Sequence, residues 1–331
     1  MVGSQQAKCA HNNYNWSWWG VLVVLIIIVI LTIATIRWVS YQLVFYPDQQ
    51  QAWFPQVQYR NVYIKVSSGA PSQPGQMETC HGWYFREFPN RPTVLFFHGN
   101  AGNISHRSYM VSICQACQLN LLLIDYRGYG QSTGFPSPTN IYQDGVAAVQ
   151  YLNTHEKIPI DQMIVWGESL GGTVATNTAK VFPHIKLLVL MSTFSCLRDI
   201  LLYQDSFKGQ DVQKKINNII VRGFSWFIPL IFHPLPSKEL IKDVKAPIII
   251  YHSKEDRLIP YHCAEIMKAS NPSAELIEIK GDHIYPEITP EQFTLIFQKA
   301  NISLEIEKDH MNHLLSLIRR FFHDLGRRML L

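Results

Sequence analysis

"MIVWGESLGGTVATNTAKVF", residues 163–182, decides the reading of this chain. An apolar run, Met163–Trp166, enters a Gly-Glu-Ser-Leu-Gly turn, and a helix-forming segment with small residues on its first turns leaves it. Strand, sharp turn, helix is the order that lifts a serine hydroxyl above a sheet and sets it at a helix N-terminus. The flanking glycines let the backbone pass where a Cβ would clash. Ser169 is the candidate nucleophile. The G-x-S-x-G pattern occurs a second time, at Gly130–Gly134 within "IDYRGYGQSTGFPSPTN". There Pro136 and Pro138 follow the serine closely and forbid an immediate helix, so Ser132 is expected in a loop.

A serine hydroxyl is a weak nucleophile without a base, and the base needs an orienting carboxylate. In a sheet of this kind these follow the serine in the order carboxylate, then histidine, each just after a later strand. "IIIYHSKEDRLIP" ends a strand and presents Glu255 and Asp256; the loop shape, with Pro260 four residues on, favours Asp256. "LIEIKGDHIYP" ends the last strand and presents His283. The other late histidines, His262, His310, His313 and His323, fall within or beyond helical stretches. A tetrahedral intermediate also needs donors for its oxyanion. The backbone amide of Leu170, just after the serine, is one candidate. The second is expected from "FFHGNAGN", after the first long apolar strand, at Asn100. His98 in the same loop is expected to shape it rather than act as base.

Farther out, strand-like runs alternate with helical ones. The strands are "VQYRNVYIKV", "CHGWYFREF", "TVLFFHG", "NLLLIDYRG", "MIVWGES", "IKLLVLMST", "APIIIYHS" and "AELIEIKGD". From "TVLFF" onward they are continuous apolar stretches, as parallel strands covered on both faces should be. Helices are expected near 105–118, 139–155, 170–181, 261–270 and 290–299. Two opening strands followed by β-α repeats predict a doubly wound α/β sheet with an antiparallel start. About fifty residues rich in Phe, Trp, Ile and Pro separate "MSTFSC" from "DVKAPIII", too long for a plain connection. They are expected to form a small lid over the carboxyl ends of the strands, at about 196–243; the alternative is one more scaffold helix.

The N-terminus carries a different signal. "WWGVLVVLIIIVILTIATI", residues 18–36, is uncharged. At about 1.5 Å per residue it nearly spans the ~30 Å hydrocarbon core of a bilayer. Trp16, Trp18 and Trp19 at one end and Arg37, Trp38 and Tyr41 at the other suit the interfaces. A cleaved signal peptide would want a basic start, a shorter apolar run and small residues at the cut, so an uncleaved single-pass anchor is favoured. Lys8 and Arg37 nearly cancel across the run, so charge sets no orientation. Sequons stand at Asn15, Asn103 and Asn301.

Bulk composition excludes more than it suggests. The chain has 331 residues, 47% of them apolar, and a formal charge of only +4. That is too mild to argue for nucleic acid, and no nucleic-acid-binding signature is present. Cys114 and Cys117 form a lone C-x-x-C with no second pair to complete a zinc site, so they and the other cysteines are expected to be ordinary thiols.

Taken together, "FFHGNAGNISHR", "LLLIDYRGYGQSTG", "WGESLGGTVA" and "SKEDRLIP" resemble the membrane-anchored alpha/beta-hydrolase domain-containing proteins, nearest the kinds numbered twelve, thirteen and seventeen. The resemblance runs from about Leu43 to Ala300. It implies an alpha/beta-hydrolase fold in which Ser169, Asp256 and His283 form a triad. It also implies that Asp125 and Arg127 hold the loop of the second serine by their ion pair and hydrogen bonds. Family members with assigned activities resemble lysophospholipases, esterases or protein depalmitoylases. "GDHIYPE" departs from the small polar residues usual after the histidine, and Cys9 stands alone where the depalmitoylase kind carries a cluster.

The expected organisation is an N-terminal tail (1–17), a transmembrane anchor (18–36), a juxtamembrane linker (37–57), a hydrolase domain (58–300) and a basic amphipathic C-terminal helix (301–331). The expected activity is serine hydrolysis of an ester or thioester in a lipid or acyl-type substrate, at a membrane and with no metal or organic cofactor. A serine peptidase of the same fold, or a catalytically silent membrane scaffold, remains as an alternative.

Overall fold

The computed structural model describes residues 18–68, 75–203, 235–284 and 286–303. Most of the expected lid and nearly all of the C-terminal helix lie outside them. Chain order begins with helix α1 (Trp18–Val44), a two-residue strand β1 (Tyr46–Pro47), β2 (Arg60–Ser67) and β3 (Met77–Phe85). Next come β4 (Thr93–Phe97), β5 (Ala101–Gly102), α2 (Ser108–Ala116), β6 (Asn120–Ile124), α3 (Pro138–Thr154), β7 (Met163–Glu168) and α4 (Leu170–Val181). The last part contains β8 (Leu187–Met191), α5 (Leu197–Tyr203), α6 (Ser237–Leu240), β9 (Ile248–Ser253), α7 (His262–Ser270), β10 (Glu275–Ile279) and α8 (Pro290–Lys299).

Eight strands form one sheet in the order β10-β9-β8-β7-β4-β6-β3-β2. β2 and β3 are antiparallel, β3 meets β6 antiparallel, and every neighbour pair from β6 through β4, β7, β8 and β9 to β10 is parallel. This is the doubly wound sheet with an antiparallel start that the sequence predicts. The edge strand β2 alternates exposed and buried residues over its last six positions, whereas β4, β6, β8 and β9 are buried throughout. Successive side chains of a strand point to opposite faces, so each central strand feeds two cores. Leu95 and Phe97 of β4 pack with residues of α3, α4 and α7, while Val94 and Phe96 pack with residues of α2 and α8. Sequence order and sheet order diverge at β4, between β6 and β7. There the strand ends open toward the loops that carry Ser169, Asp256 and His283.

Local caps fix the helices that matter. Ser137 accepts from Asn140 N at 3.1 Å, and Pro138 opens α3 as its first residue. The two prolines that deny Ser132 an immediate helix thus lead into this one. Thr289 and Gln292 cap α8 reciprocally. Cys114 and Cys117 are free and buried, and burial pushes the Cys117 thiol up to about 12.

α1 includes the one stretch among the described residues long and apolar enough to cross a membrane, Trp18–Ile36, with mean hydropathy 3.0 and none of it buried in the fold. The helix does not stop at Ile36. It continues through the first part of the expected linker to Val44, where Tyr41 and Val44 pack against the core and Phe45 is buried in it.

Candidate active site

Ser169 sits between β7 and α4 with φ 52 and ψ −117, a backbone conformation that L-residues avoid and that marks a stored-strain position. The turn holds because its amide and carbonyl are both occupied. Ser169 N donates to Met191 O at 2.9 Å, and Thr193 Oγ1 donates to Ser169 O at 2.8 Å. Its tightness demands two glycines. A Cβ on Gly167 would lie 2.3 Å from Gly171 O, and one on Gly171 would lie 2.0 Å from Phe97 O.

Two distant loops converge on this hydroxyl. His283 Nε2 is 3.1 Å from Ser169 Oγ, and His283 Nδ1 is 2.7 Å from Asp256 Oδ2. A carboxylate only accepts, so Nδ1 carries the ring proton and Nε2 is left as an acceptor for the serine hydroxyl. Asp256 is 5% exposed, and its other oxygen accepts from Leu258 N at 2.9 Å and Ile259 N at 2.8 Å. Glu255, its competitor in the sequence, turns away and accepts from Gly281 N at 3.0 Å. His252, buried under this loop, donates from Nε2 to Ile259 O at 2.8 Å and stands 3.6 Å from Asp256 Oδ2. Nothing in the sequence singles it out.

Leu170 opens α4, so its amide is one of the helix's first four, which have no acceptor inside the helix. The loop after β4 lies across the serine: a Cβ on Gly99 would lie 3.5 Å from Ser169 Cβ. His98, fully buried, donates from Nδ1 to Gly99 O at 2.7 Å, which orients the peptide unit containing the Asn100 amide. Beside the serine, Tyr109 donates a hydrogen bond to the Glu168 carboxylate.

Ser132 does none of this. It is buried, accepts from His81 N at 2.8 Å and donates to Asp125 O at 2.8 Å, as a loop staple would. One expectation about that loop is corrected. Arg127 does not pair with Asp125. It pairs with Asp144 at 2.7 Å and Glu78 at 3.1 Å, and also donates to the carbonyls of Ser67 and Asn140. Asp125 lies instead 3.4 Å from His98 Nε2 and accepts from Ile104 N at 2.9 Å. Burial alone would raise its carboxyl, but the neighbouring His81 and His98 rings and the bond from Ile104 N outweigh that and hold it below the usual range.

Among the described residues no cluster of three His, Cys, Asp or Glu side chains is arranged to hold a metal ion. The sequon at Asn103 is not on the surface. Asn103 is 1% exposed, and its amide donates to Asp48 O at 2.9 Å and Gln50 O at 2.7 Å.

Comparison with known proteins fits this geometry. Residues 92–218 match the alpha/beta hydrolase fold family, a span that includes Ser169 and ends before Asp256 and His283. The alpha/beta hydrolase domain-containing protein WAV2 of Arabidopsis thaliana is 31% identical over 241 residues, 68% of this chain and 72% of that protein. The chain belongs to the alpha/beta hydrolase domain-containing proteins. This hydrolase is also 26% identical over 193 residues to the lysophosphatidylserine lipase ABHD12 of Danio rerio, 54% of this chain and 47% of that one. It therefore spans about half of that relative's length. Among solved structures, the Pyrococcus furiosus esterase Pf2001 superposes with TM-score 0.53 at 19% identity, covering 84% of this chain and 98% of the esterase. That likeness is one of fold.

Proposed function

We propose that the protein is a membrane-anchored serine hydrolase that cleaves ester or thioester bonds of an acyl-bearing, lipid-like substrate through an acyl-serine intermediate. The observation that carries this reading is the unbroken chain Ser169 Oγ, His283, Asp256, with links of 3.1 and 2.7 Å, mounted on a strained strand-turn-helix. In the first half-reaction Ser169 Oγ attacks the acyl carbon while His283 Nε2 takes its proton. Asp256 keeps the ring in the required tautomer and stabilises the imidazolium. The amides of Leu170 and Asn100 receive the oxyanion, His283 returns the proton to the leaving group, and water reverses the sequence. The uncharged Trp18–Ile36 stretch of α1 supports a single-pass anchor, and a relative named as a lysophosphatidylserine lipase supports a lipid-like substrate.

The test is a fluorophosphonate probe, which traps activated serines, applied to the full chain and to Ser169→Ala and Ser132→Ala variants. Labelling of wild type and Ser132→Ala, but not Ser169→Ala, is expected. A screen of lipid esters, thioesters and amides follows. No labelling of any form would favour the silent scaffold, and preferential amide cleavage would favour a peptidase.

A further inference from the structure

The segment after the anchor helix does not merely lead to the domain. Phe45 N closes α1 on Tyr41 O at 3.0 Å, and β1 then pairs in parallel with β5, Tyr46 opposite Ala101 and Pro47 opposite Gly102. β5 is the continuation of the loop that crosses Ser169. Three hydrogen bonds meet at Asn100, two of them with this segment. Tyr46 N donates to Asn100 O at 3.1 Å, Tyr129 OH donates to the same oxygen at 2.8 Å, and Asn100 Nδ2 donates to Val44 O at 3.2 Å. The grip extends along the loop: Asp48 N donates to Gly102 O at 3.3 Å, Asp48 O accepts from Gly130 N at 3.0 Å, and Ala52 N donates to Ser105 Oγ at 2.8 Å.

Two peptide planes flank the Asn100 Cα, and the amide's aim depends on both. His98 holds the first through Gly99 O. The second, carrying Asn100 O, is held by Tyr46 and Tyr129, and the side chain is tied to the last carbonyl of α1. A backbone donor helps an oxyanion only while fixed in the geometry the transition state will need.

We propose that residues 44–50 form a positioning strap that aims the Asn100 amide, so that the end of the anchor helix is part of the apparatus stabilising the transition state. This rests on the hydrolase reading above. Asn100 contributes its backbone; Val44 and Tyr46 act through it.

The experiment uses the full chain in detergent micelles, with Tyr46→Pro, which deletes the donor to Asn100 O, and Asn100→Ala, which deletes the side-chain tie but keeps the amide. Fluorophosphonate titration counts functional sites, so that kcat against a short soluble p-nitrophenyl ester is per active molecule. Each variant should lose about tenfold or more in kcat with KM nearly unchanged, since removing an oxyanion donor outright costs about 10²–10³. Affinity for a boronic acid, whose tetrahedral adduct needs the same donors, should fall by a similar factor. Replacing Val21–Leu31 by leucines should leave kcat unaltered. Full kcat per labelled site in both variants overturns the strap while the hydrolase stands. So does a drop confined to the count of labelled sites, which would mean that the segment only supports folding. A wild type that neither labels nor turns over ester overturns the hydrolase reading itself.

Discussion

Replacing Ser132 by alanine and Ser169 by alanine should give opposite signatures, although both serines sit in the same five-residue pattern. Ser132 Oγ accepts from the buried amide of His81 and donates to Asp125 O, each at 2.8 Å. Alanine removes the acceptor and leaves the His81 N–H without it in a place closed to water. An orphaned buried donor costs about 1–3 kcal/mol. For a domain of this size each kcal/mol moves Tm by ~2–4 °C, so the melting point should fall by about 2–12 °C. Fluorophosphonate labelling should survive. Ser169→Ala keeps the backbone bonds to Met191 and Thr193 and loses only a hydroxyl in the site, so Tm should stay within about 2 °C while labelling disappears. Labelling and differential scanning fluorimetry on the same preparations read both quantities. A Ser132→Ala protein that melts like wild type but no longer labels would refute the assignment of roles, and so would a Ser169→Ala protein that labels.

Gly171→Ala would push α4 off β4, because its Cβ would lie 2.0 Å from Phe97 O; a loss of about 3 kcal/mol or more is expected in urea unfolding. Arg127→Met strands Asp144 and Glu78, and should cost about 3–5 kcal/mol. Burial has already pushed Asp144 up to about 6, so adding Asp144→Asn to that variant should recover part of the loss. His252 gives a pH dependence. Burial lowers it below its ordinary 6.5, so the unfolded chain takes up a proton before the folded one does. Its contribution to stability is present above 6.5 and is lost as pH falls through 6.5 toward the folded value. Asp256, His283 and the Tyr261 ring face it, and Asp256 opposes the shift without cancelling it. Melting curves from pH 7.5 down to 5 should show a slope that is weaker in His252→Gln; equal slopes would count against this assignment.

Most of the sheet was legible because its signal is local. Continuous apolar runs announce the parallel strands, and prolines at 136 and 138 separate one serine from the other without any tertiary information. Asp256 and His283 were legible from position relative to strands, and the structure brings both to Ser169. What escaped is pairing between distant segments. A two-residue strand such as Tyr46–Pro47 has no periodicity, and "YQLVFYPDQQQ" reads as a linker because nothing in it states that its amides will meet Asn100 and Gly102. The partners of Arg127 escaped for the same reason: Asp144 lies on a helix and Glu78 on a strand, and only the closed fold sets them on one guanidinium. His252 resembles any histidine in an apolar run until the loop after it folds back.

Because α1 runs on to Val44 without a break, the proposed anchor works as a stalk of fixed height rather than a leash. Eight helical residues beyond Ile36 lift the end of the helix about 12 Å along its axis. Headgroups occupy only ~5–8 Å on each side of the hydrocarbon core. With α1 upright in a bilayer, as proposed, the loop that crosses Ser169 would stand just outside the headgroup layer, and tilting would lower it only by the cosine of the tilt. A diacyl lipid seated in the bilayer keeps its ester bonds below that level. A single-chain lipid, which rises out of the leaflet at lower cost, can present its bond there. On the proposed lipid hydrolase reading, stalk length would act as a sieve: shortening the helix between Ile36 and Val44 by two whole turns, which preserves the facing of Val44, should shift turnover toward lipids that sit deeper.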